Sequence, residues 1–464
     1  MRRRQFLAGS LGLAAGSLAG CHQPDGSHLQ ALPAAPADGR LPWSNWSGLQ
    51  RAYPAQRLAP RSEDELAELL RRGAPPLRPA GAGHSFTALV PTDGTLLSLR
   101  HFEGVIEHDP VARTATVGAG TRLGALAEAL HGLGQALPNM PDVDQQTLAG
   151  ALATATHGTG ERLGALHAYV SGLRLVTARG EVIDCSARER PALFEAARVS
   201  LGSLGVITRV QLQNVAPYRL RRRVWAEPLG QMLERFDEYA ARHHSFEFYY
   251  LPFCSQALGI SIDPTEDLPR PRGADPDNDA VMQLKQLRDL LHWAPAARRW
   301  LLAQALADYP TEEAVDDWHR IYPSARAVRF NEMEYHLPRE ALLPTLRTVI
   351  ATLERDHPEE FFPVEVRVVR GDDAWLSPFY GHATSGSIAV HRFHEENPFP
   401  LFAAIEPLYQ AVGGRPHWGK LHGLGAAELA GRYPRWSEFL ALRAELDPEG
   451  RLLNPHLKQV FGLG

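Results

Sequence analysis

Three runs of glycine and small hydroxyl residues between positions 79 and 208 constrain this chain more than any other feature. They are Pro79-Ala80-Gly81-Ala82-Gly83-His84-Ser85, then Thr147-Leu148-Ala149-Gly150 with Thr154-Ala155-Thr156-His157-Gly158-Thr159-Gly160, and Gly202-Ser203-Leu204-Gly205-Val206-Ile207-Thr208. Closely spaced glycines let consecutive backbone N–H groups face an anion such as a pyrophosphate, which side chains would block. A histidine at the end of such a run can reach the ring system of the same ligand. Alone, each run is an ordinary turn, and His84 a solvent-facing side chain. Three in one domain imply a long ligand held along backbone.

A fourth run, Gly118-Ala119-Gly120-Thr121-Arg122-Leu123-Gly124, follows a strand and opens a helix. It fails as a dinucleotide fingerprint, because the third glycine is one position late and no βαβ unit with an acidic residue follows. It reads as a tight strand-to-helix turn.

The surrounding pattern is α+β. Ser62-Glu63-Asp64-Glu65 is a capping box before Leu66, Leu69 and Leu70, with Arg71, Arg72 and Gly73 closing the helix. Short strands are expected near Leu77, Leu96–Leu99, Val105–His108 and Thr114–Val117, and a helix over Arg122–His131. A hairpin turns at Arg179-Gly180, and Val206, Thr208, Val210 and Leu212 alternate as a strand. From about Tyr218 the elements lengthen. Asp263–Asp279 reads as a Pro/Asp/Gly loop, and Val281–Ala307 as a helical segment with Leu284, Leu287, Leu290 and Leu291 toward a core. The 464 residues suit two domains, 43–217 and 218–464.

The first 42 residues read as an address and a tether. Arg2, Arg3 and Arg4 precede Gln5-Phe6-Leu7 and an apolar stretch to Ala19, the form of a twin-arginine export signal. Leu18-Ala19-Gly20-Cys21 resembles a bacterial lipobox, in which Cys21 carries the lipid. Residues 1–21 are therefore set apart as a signal and 22–42 as a linker. An exported, envelope-facing protein held at a membrane by its anchor is expected.

Composition removes other classes. Lys and Arg number 48 against 53 Asp and Glu, so no electrostatic footprint favours nucleic acid. Cys21, Cys185 and Cys254 make no disulfide framework, no CxxC pair occurs, and no metal site is expected.

Together, Gly83-His84-Ser85, the Thr-His-Gly-Thr-Gly run and Leu-Gly-Val-Ile-Thr resemble the FAD domain of the vanillyl-alcohol oxidase type, also known as the PCMH type. Asn331-Glu332-Met333-Glu334-Tyr335, Glu365-Val366-Arg367, His417-Trp418-Gly419-Lys420 and Leu446-Asp447-Pro448 narrow the resemblance to its sugar-1,4-lactone oxidase and alditol oxidase group. It covers the chain from about Trp43 onward. It implies an FAD-binding domain over 43–217 and an α+β substrate (cap) domain over 218–464, whose C-terminal segment returns to complete the active site.

The resemblance implies an FAD-dependent oxidase of an aldono-1,4-lactone of the D-arabinono-1,4-lactone kind. The readings kept beside it are an alditol (xylitol or sorbitol) oxidase, a dehydrogenase feeding a respiratory acceptor and a non-catalytic flavin- or sugar-binding lipoprotein. Glu365, Arg367 and Lys420 match the catalytic carboxylate and cations. The alternation of Glu365 and Arg367 agrees, since it puts both side chains on one face of a strand; a solvated ion pair is the plainer use of Glu-x-Arg. Asp142, His391 and His417 are implied substrate contacts, with a structural role equally open for His391. Cofactor contacts are implied for Gly81, Ala82, Gly83, His84, Ser85, Pro141, Asp142, Thr147, Gly150, Thr154, Thr156, His157, Gly158 and Ile207. His84 matches the histidine that carries the flavin covalently. Asp142 departs from the alditol oxidases, which have serine there. Pro141 aligns beside the flavin carbon that oxygen attacks, with termination of the preceding loop an equally open role, and the lactone oxidase resemblance implies oxygen as acceptor.

Overall fold

The computed structural model describes His28 and residues 33–273 and 275–464. The expected signal, with Cys21, and most of the linker lie outside these residues; 33–42 run without helix or strand. Among the described residues no helix is long and apolar enough to cross a membrane.

Among the described residues the first half carries three sheets, the smallest pairing Trp43–Ser44 with Arg51–Ala52. Gln56–Leu58, Thr95–Ser98 and Leu77–Ala80 form a parallel one. Val105–Asp109, Thr114–Gly118, Val206–Gln213, Val170–Val176 and Val182–Ser186 pair in that order as an antiparallel one. The turn after Gly118 leads from this antiparallel sheet into the helix Leu123–Gly132, so no parallel dinucleotide-binding unit exists there. Ser62 caps the helix Glu63–Arg72 by accepting the Glu65 N–H at 3.1 Å. The box is displaced by one residue, because the Glu65 carboxylate takes the N–H of Arg61 instead of that of Ser62.

The second half is built on eight antiparallel strands. Their order is Glu312–Asp317, Arg219–Pro228, Gln256–Pro264, Ser245–Leu251, Val364–Arg370, Thr384–Phe393, Phe330–Pro338 and Arg415–Pro416. One face is apolar and lies under helices: Phe236 of Leu229–Arg242 meets Phe246 and Phe248, and Tyr409 of Phe399–Gln410 stacks on Tyr335. The opposite face carries the polar residues of the same strands and turns toward the first half. There Thr159 donates to the Phe246 carbonyl at 2.7 Å, and the Gly160 N–H to that of Val368 at 2.7 Å.

Two expectations in this half change. The loop expected to Asp279 ends at Asp275, whose side chain caps a helix over Pro276–Leu290 by accepting the Asn278 N–H at 3.1 Å. The segment expected from Val281 to Ala307 is two helices, the second being Pro295–Ala307, because Pro295 cannot continue the first. Leu284 and Leu287 are buried, but Leu290 is exposed. Cys185 and Cys254 are free and buried.

The C-terminal segment returns to the first half through Arg78. This guanidinium is 2% exposed and donates to the carbonyls of Leu89 (2.9 Å), Leu201 (2.9 Å), Gly202 (3.1 Å) and Leu452 (2.5 Å). Arg451 and Asn454 add bonds to the Gly73, Ala88 and Pro91 carbonyls. Arg78→Met keeps the volume but leaves four buried acceptors without their donor. It is expected to cost about 3 kcal/mol or more, read as a lower thermal midpoint; an unchanged midpoint would show that the remaining bonds hold the C-terminus unaided.

Candidate active site

A cleft of about 210 Å³, open to solvent, runs between the glycine runs of the first half and the C-terminal turn of the second. All three runs contribute, through Gly81 to Ser85, through Thr147, Gly150 and Thr154, and through Gly202, Gly205 and Ile207. Two glycines explain the close wall. A Cβ on Gly81 would overlap the Thr147 hydroxyl, and Gly83 holds φ +73°, which L side chains resist. The 80–85 loop is fixed from both sides: the Trp46 N–H donates to the Gly83 carbonyl at 2.8 Å, Asn45 to that of Ser85 at 3.0 Å, and the Phe86 N–H to that of Gly419 at 2.7 Å.

His84 lines this cleft and stacks on Trp46 at 5.6 Å. Burial, reinforced by Lys420, Arg122 and Arg326, lowers its imidazole to about 4, so the ring is neutral at neutral pH and keeps a free lone pair. Arg100 and Arg122 also line the cleft and supply positive charge. A long, backbone-lined channel with cations and a neutral histidine fits FAD: glycine amides and arginines for the pyrophosphate, His84 and Lys420 beside the ring system.

At the Lys420 end the cleft meets the polar face of the eight-stranded sheet. Strand register arranges that face in rows. Tyr249 opposes Glu365, Glu365 opposes Ala389, and Ala389 opposes Glu334; beside them Arg367 opposes Ser387, and Glu332 opposes His391. The side chains pair as they lie. Arg367 contacts Glu365 and sits 3.2 Å from Glu247; Tyr249 donates to Glu365; Lys420 pairs with Glu332 and stands 5.1 Å over the Phe86 ring. Carboxylate atoms of Glu332 and Glu365 and a ring nitrogen of His391 all lie within 4.8 Å of one another. The expected Glu365, Arg367 and Lys420 are thereby brought to one place.

Asp142 joins them from the first half. Arg326 pairs with it and Arg367 lies 3.9 Å away. Burial would raise the Asp142 carboxyl, but Arg326, Arg367 and Lys420 outweigh that and hold it below its usual range. His391 donates from Nδ1 to the Pro363 carbonyl at 3.0 Å and stacks on Phe362. His417 is buried, lines the cleft and shapes the turn that carries Lys420: its Nδ1 accepts the Gly419 N–H at 3.0 Å, and its carbonyl the Lys420 N–H at 2.9 Å.

Five residues expected as cofactor contacts do not line the cleft. Asp142 stands toward the charged face, with Pro141 directly before it in the chain. Thr156 donates to Gln146 at 3.0 Å, His157 faces Glu334, and Gly158 packs so closely on Asn139 and Met140 that a Cβ would overlap them. They form a layer behind the wall. Conversely, Glu247, Tyr249, Arg326, Glu332 and Glu334 belong to the charged face without having been assigned to it from the sequence. The alternation Glu332, Glu334, His336 was the available signal; Arg326, in a loop, gave none.

Residues 210–460 match the D-arabinono-1,4-lactone oxidase family model, and residues 54–186 the FAD binding domain model. The chain is 37% identical to L-gulono-1,4-lactone dehydrogenase of Mycobacterium tuberculosis, over 90% of this chain and 99% of that protein. It is 33% identical to alditol oxidase of a Streptomyces species and 30% to L-gulonolactone oxidase of Bos taurus, each over 90% of this chain and 98% of the relative. Its fold is similar to that of cholesterol oxidase from Brevibacterium sterolicum, with a TM-score of 0.73 and 16% identity over 93% of this chain and 99% of that one. The chain belongs to the D-arabinono-1,4-lactone oxidase family of FAD-dependent oxidoreductases.

Proposed function

We propose that this chain oxidises a CH–OH group of an aldono-1,4-lactone and that oxygen reoxidises the enzyme. One observation carries the reading: Glu365, Arg367 and Lys420, from separate parts of the sequence, converge on a buried charged face at the end of a cleft suited to FAD. FAD, when bound, accepts the two electrons and the hydrogen that leave the substrate carbon. The protein's part is electrostatic. Arg367 and Lys420 stabilise negative charge developing on the substrate oxygen, and Glu365 orients the hydroxyl groups. Glu332 fixes the Lys420 ammonium in place. The names of the relatives support a lactone substrate, and the oxidases among them support oxygen.

Purified enzyme mixed anaerobically with L-gulono- or D-arabinono-1,4-lactone should bleach, and should recover its colour in aerated buffer as fast as it turns over. Bleaching by xylitol alone would make it an alditol oxidase; recovery slower than turnover with a dye would make it a dehydrogenase. Lys420→Met should keep FAD and bleach at least about a hundredfold more slowly, the scale of removing one pre-organised charge. Near-normal bleaching in that variant would leave Lys420 a structural role.

We also infer a covalent tether through His84, whose neutral ring stacks beside the cleft. Flavin should stay with acid-precipitated wild type and pass into the supernatant from His84→Ala; colour released from the wild type would refute the tether.

Export and a lipid on Cys21 are inferred from the arginines, the apolar stretch and Leu-Ala-Gly-Cys. Cys21→Ser should shift the exported protein from the membrane fraction to the soluble periplasm, whereas a wild type already soluble there would remove the anchor from the reading.

A further inference from the structure

Behind the cleft wall, where the first half meets the second, His157, Glu334 and His336 face one another, and His336 lacks the hydrogen bonds that burial demands. His157 Nδ1 lies 2.7 Å from the Gly158 carbonyl, which can only accept, so Nδ1 carries a hydrogen. A neutral ring then turns the Nε2 lone pair toward Glu334 Oε1, 3.2 Å away. That oxygen already accepts the Ser387 hydroxyl at 2.5 Å. Two acceptors at this distance repel unless positive charge lies between them, either a proton or a metal ion. His336 is 2% exposed and neither of its ring nitrogens has a hydrogen-bond partner, although leaving such groups unmade is costly. Ligand atoms of His157, Glu334 and His336 all fall within 4.8 Å of one another.

We propose that His157, Glu334 and His336 bind a zinc ion that joins the two halves of the molecule. Two imidazoles and one carboxylate suit a borderline-soft ion and not Mg²⁺ or Ca²⁺, which take oxygen ligands. The supporting groups are those that metal ligands require: a carbonyl fixes the His157 tautomer and a hydroxyl orients the Glu334 carboxylate. His417, whose ring is 5.6 Å from that of His157, is not a ligand through Nδ1, because that nitrogen accepts the Gly419 N–H. The ion has a structural role. None of its three ligands lines the cleft, and it ties the 154–160 loop to the strand Phe330–Pro338. The same Glu334 accepts, at its backbone carbonyl, the His417 N–H at 3.0 Å, so the ion also steadies the turn bearing Lys420. Sequence spacing concealed the set, since its members come from opposite halves.

The test uses untagged holoenzyme. Metal analysis after dialysis should find about one zinc per chain, and chelator-treated holoenzyme should take up added ZnCl₂ to the same stoichiometry in a calorimetric titration. His336→Ala should retain its flavin spectrum and lose zinc affinity by at least about a hundredfold. Wild type that holds no zinc and takes up none would overturn the proposal in favour of a protonated His157 paired with Glu334. Uptake unchanged in His336→Ala would overturn the ligand assignment. Should that variant not fold, anomalous diffraction at the zinc edge from wild-type crystals soaked in ZnCl₂ decides, by showing density among the three side chains or none.

Discussion

The fold depends on burying a sheet face that carries charge. Ionised groups leave water at a cost of several kcal/mol each unless paired and hydrogen-bonded. On this face every carboxylate has a partner: Glu365 has Arg367 and Tyr249, Glu332 has Lys420, Glu247 has Arg367, Asp142 has Arg326, and Glu334 has the Ser387 hydroxyl. Strand register makes these pairings, because a slip of one residue in Phe330–Pro338 would send Glu332, Glu334 and His336 into the apolar layer of Tyr335, Leu342 and Tyr409. Hydrophobic packing on one side thus fixes the electrostatics on the other.

The same register places Lys420. The Glu334 and Glu332 carbonyls accept the N–H groups of His417 and Leu421, at 3.0 and 2.9 Å, so the turn between them is strung along the strand. Gly419 then reaches the 80–85 loop through the bond from Phe86, and Thr87 donates to the Trp418 carbonyl at 3.0 Å. One turn therefore bridges the charged face and the glycine-lined cleft. This is why groups distant in sequence act at one point.

Much of this was legible in sequence, and the exceptions have physical causes. The glycine runs, the Glu365 and Arg367 alternation and the turn at Lys420 rest on local rules, namely backbone approach, period two and motif spacing. Arg78 escaped because a lone arginine in a short strand has no local signature; its four acceptors come from three distant segments. Glu332 and Glu334 were visible as alternating charges, but a charged strand reads as solvated until something is known to cover it. The covering loop, Thr156 to Gly160, was read as cofactor wall because small residues suit both a ligand and a tight layer between sheets. Pro295 was the available break in the helical segment after Val281, overridden there by the leucine periodicity around it.

Asp142 is where local departure and global balance meet. An acid standing alone at this position would add a negative charge to the buried face. Arg326 offsets that charge: it pairs with Asp142, and the Ser324 N–H donates to the Asp142 carbonyl at 2.9 Å, so the 324–326 loop is bound to the same residue. The carboxylates Asp142, Glu247, Glu332, Glu334 and Glu365 then face the cations Arg326, Arg367 and Lys420, two charges short of neutrality. Part of the excess falls on Glu247. Burial pushes its carboxyl up to about 7, with Glu365 and Asp142 adding to the effect and Arg367 opposing it. A proton on Glu247 removes one of those negative charges, which lowers the cost of burying the face. Asp142 therefore stands with Arg326 as a neutral pair, and what it brings to the charged face is shape and hydrogen bonding, not net charge.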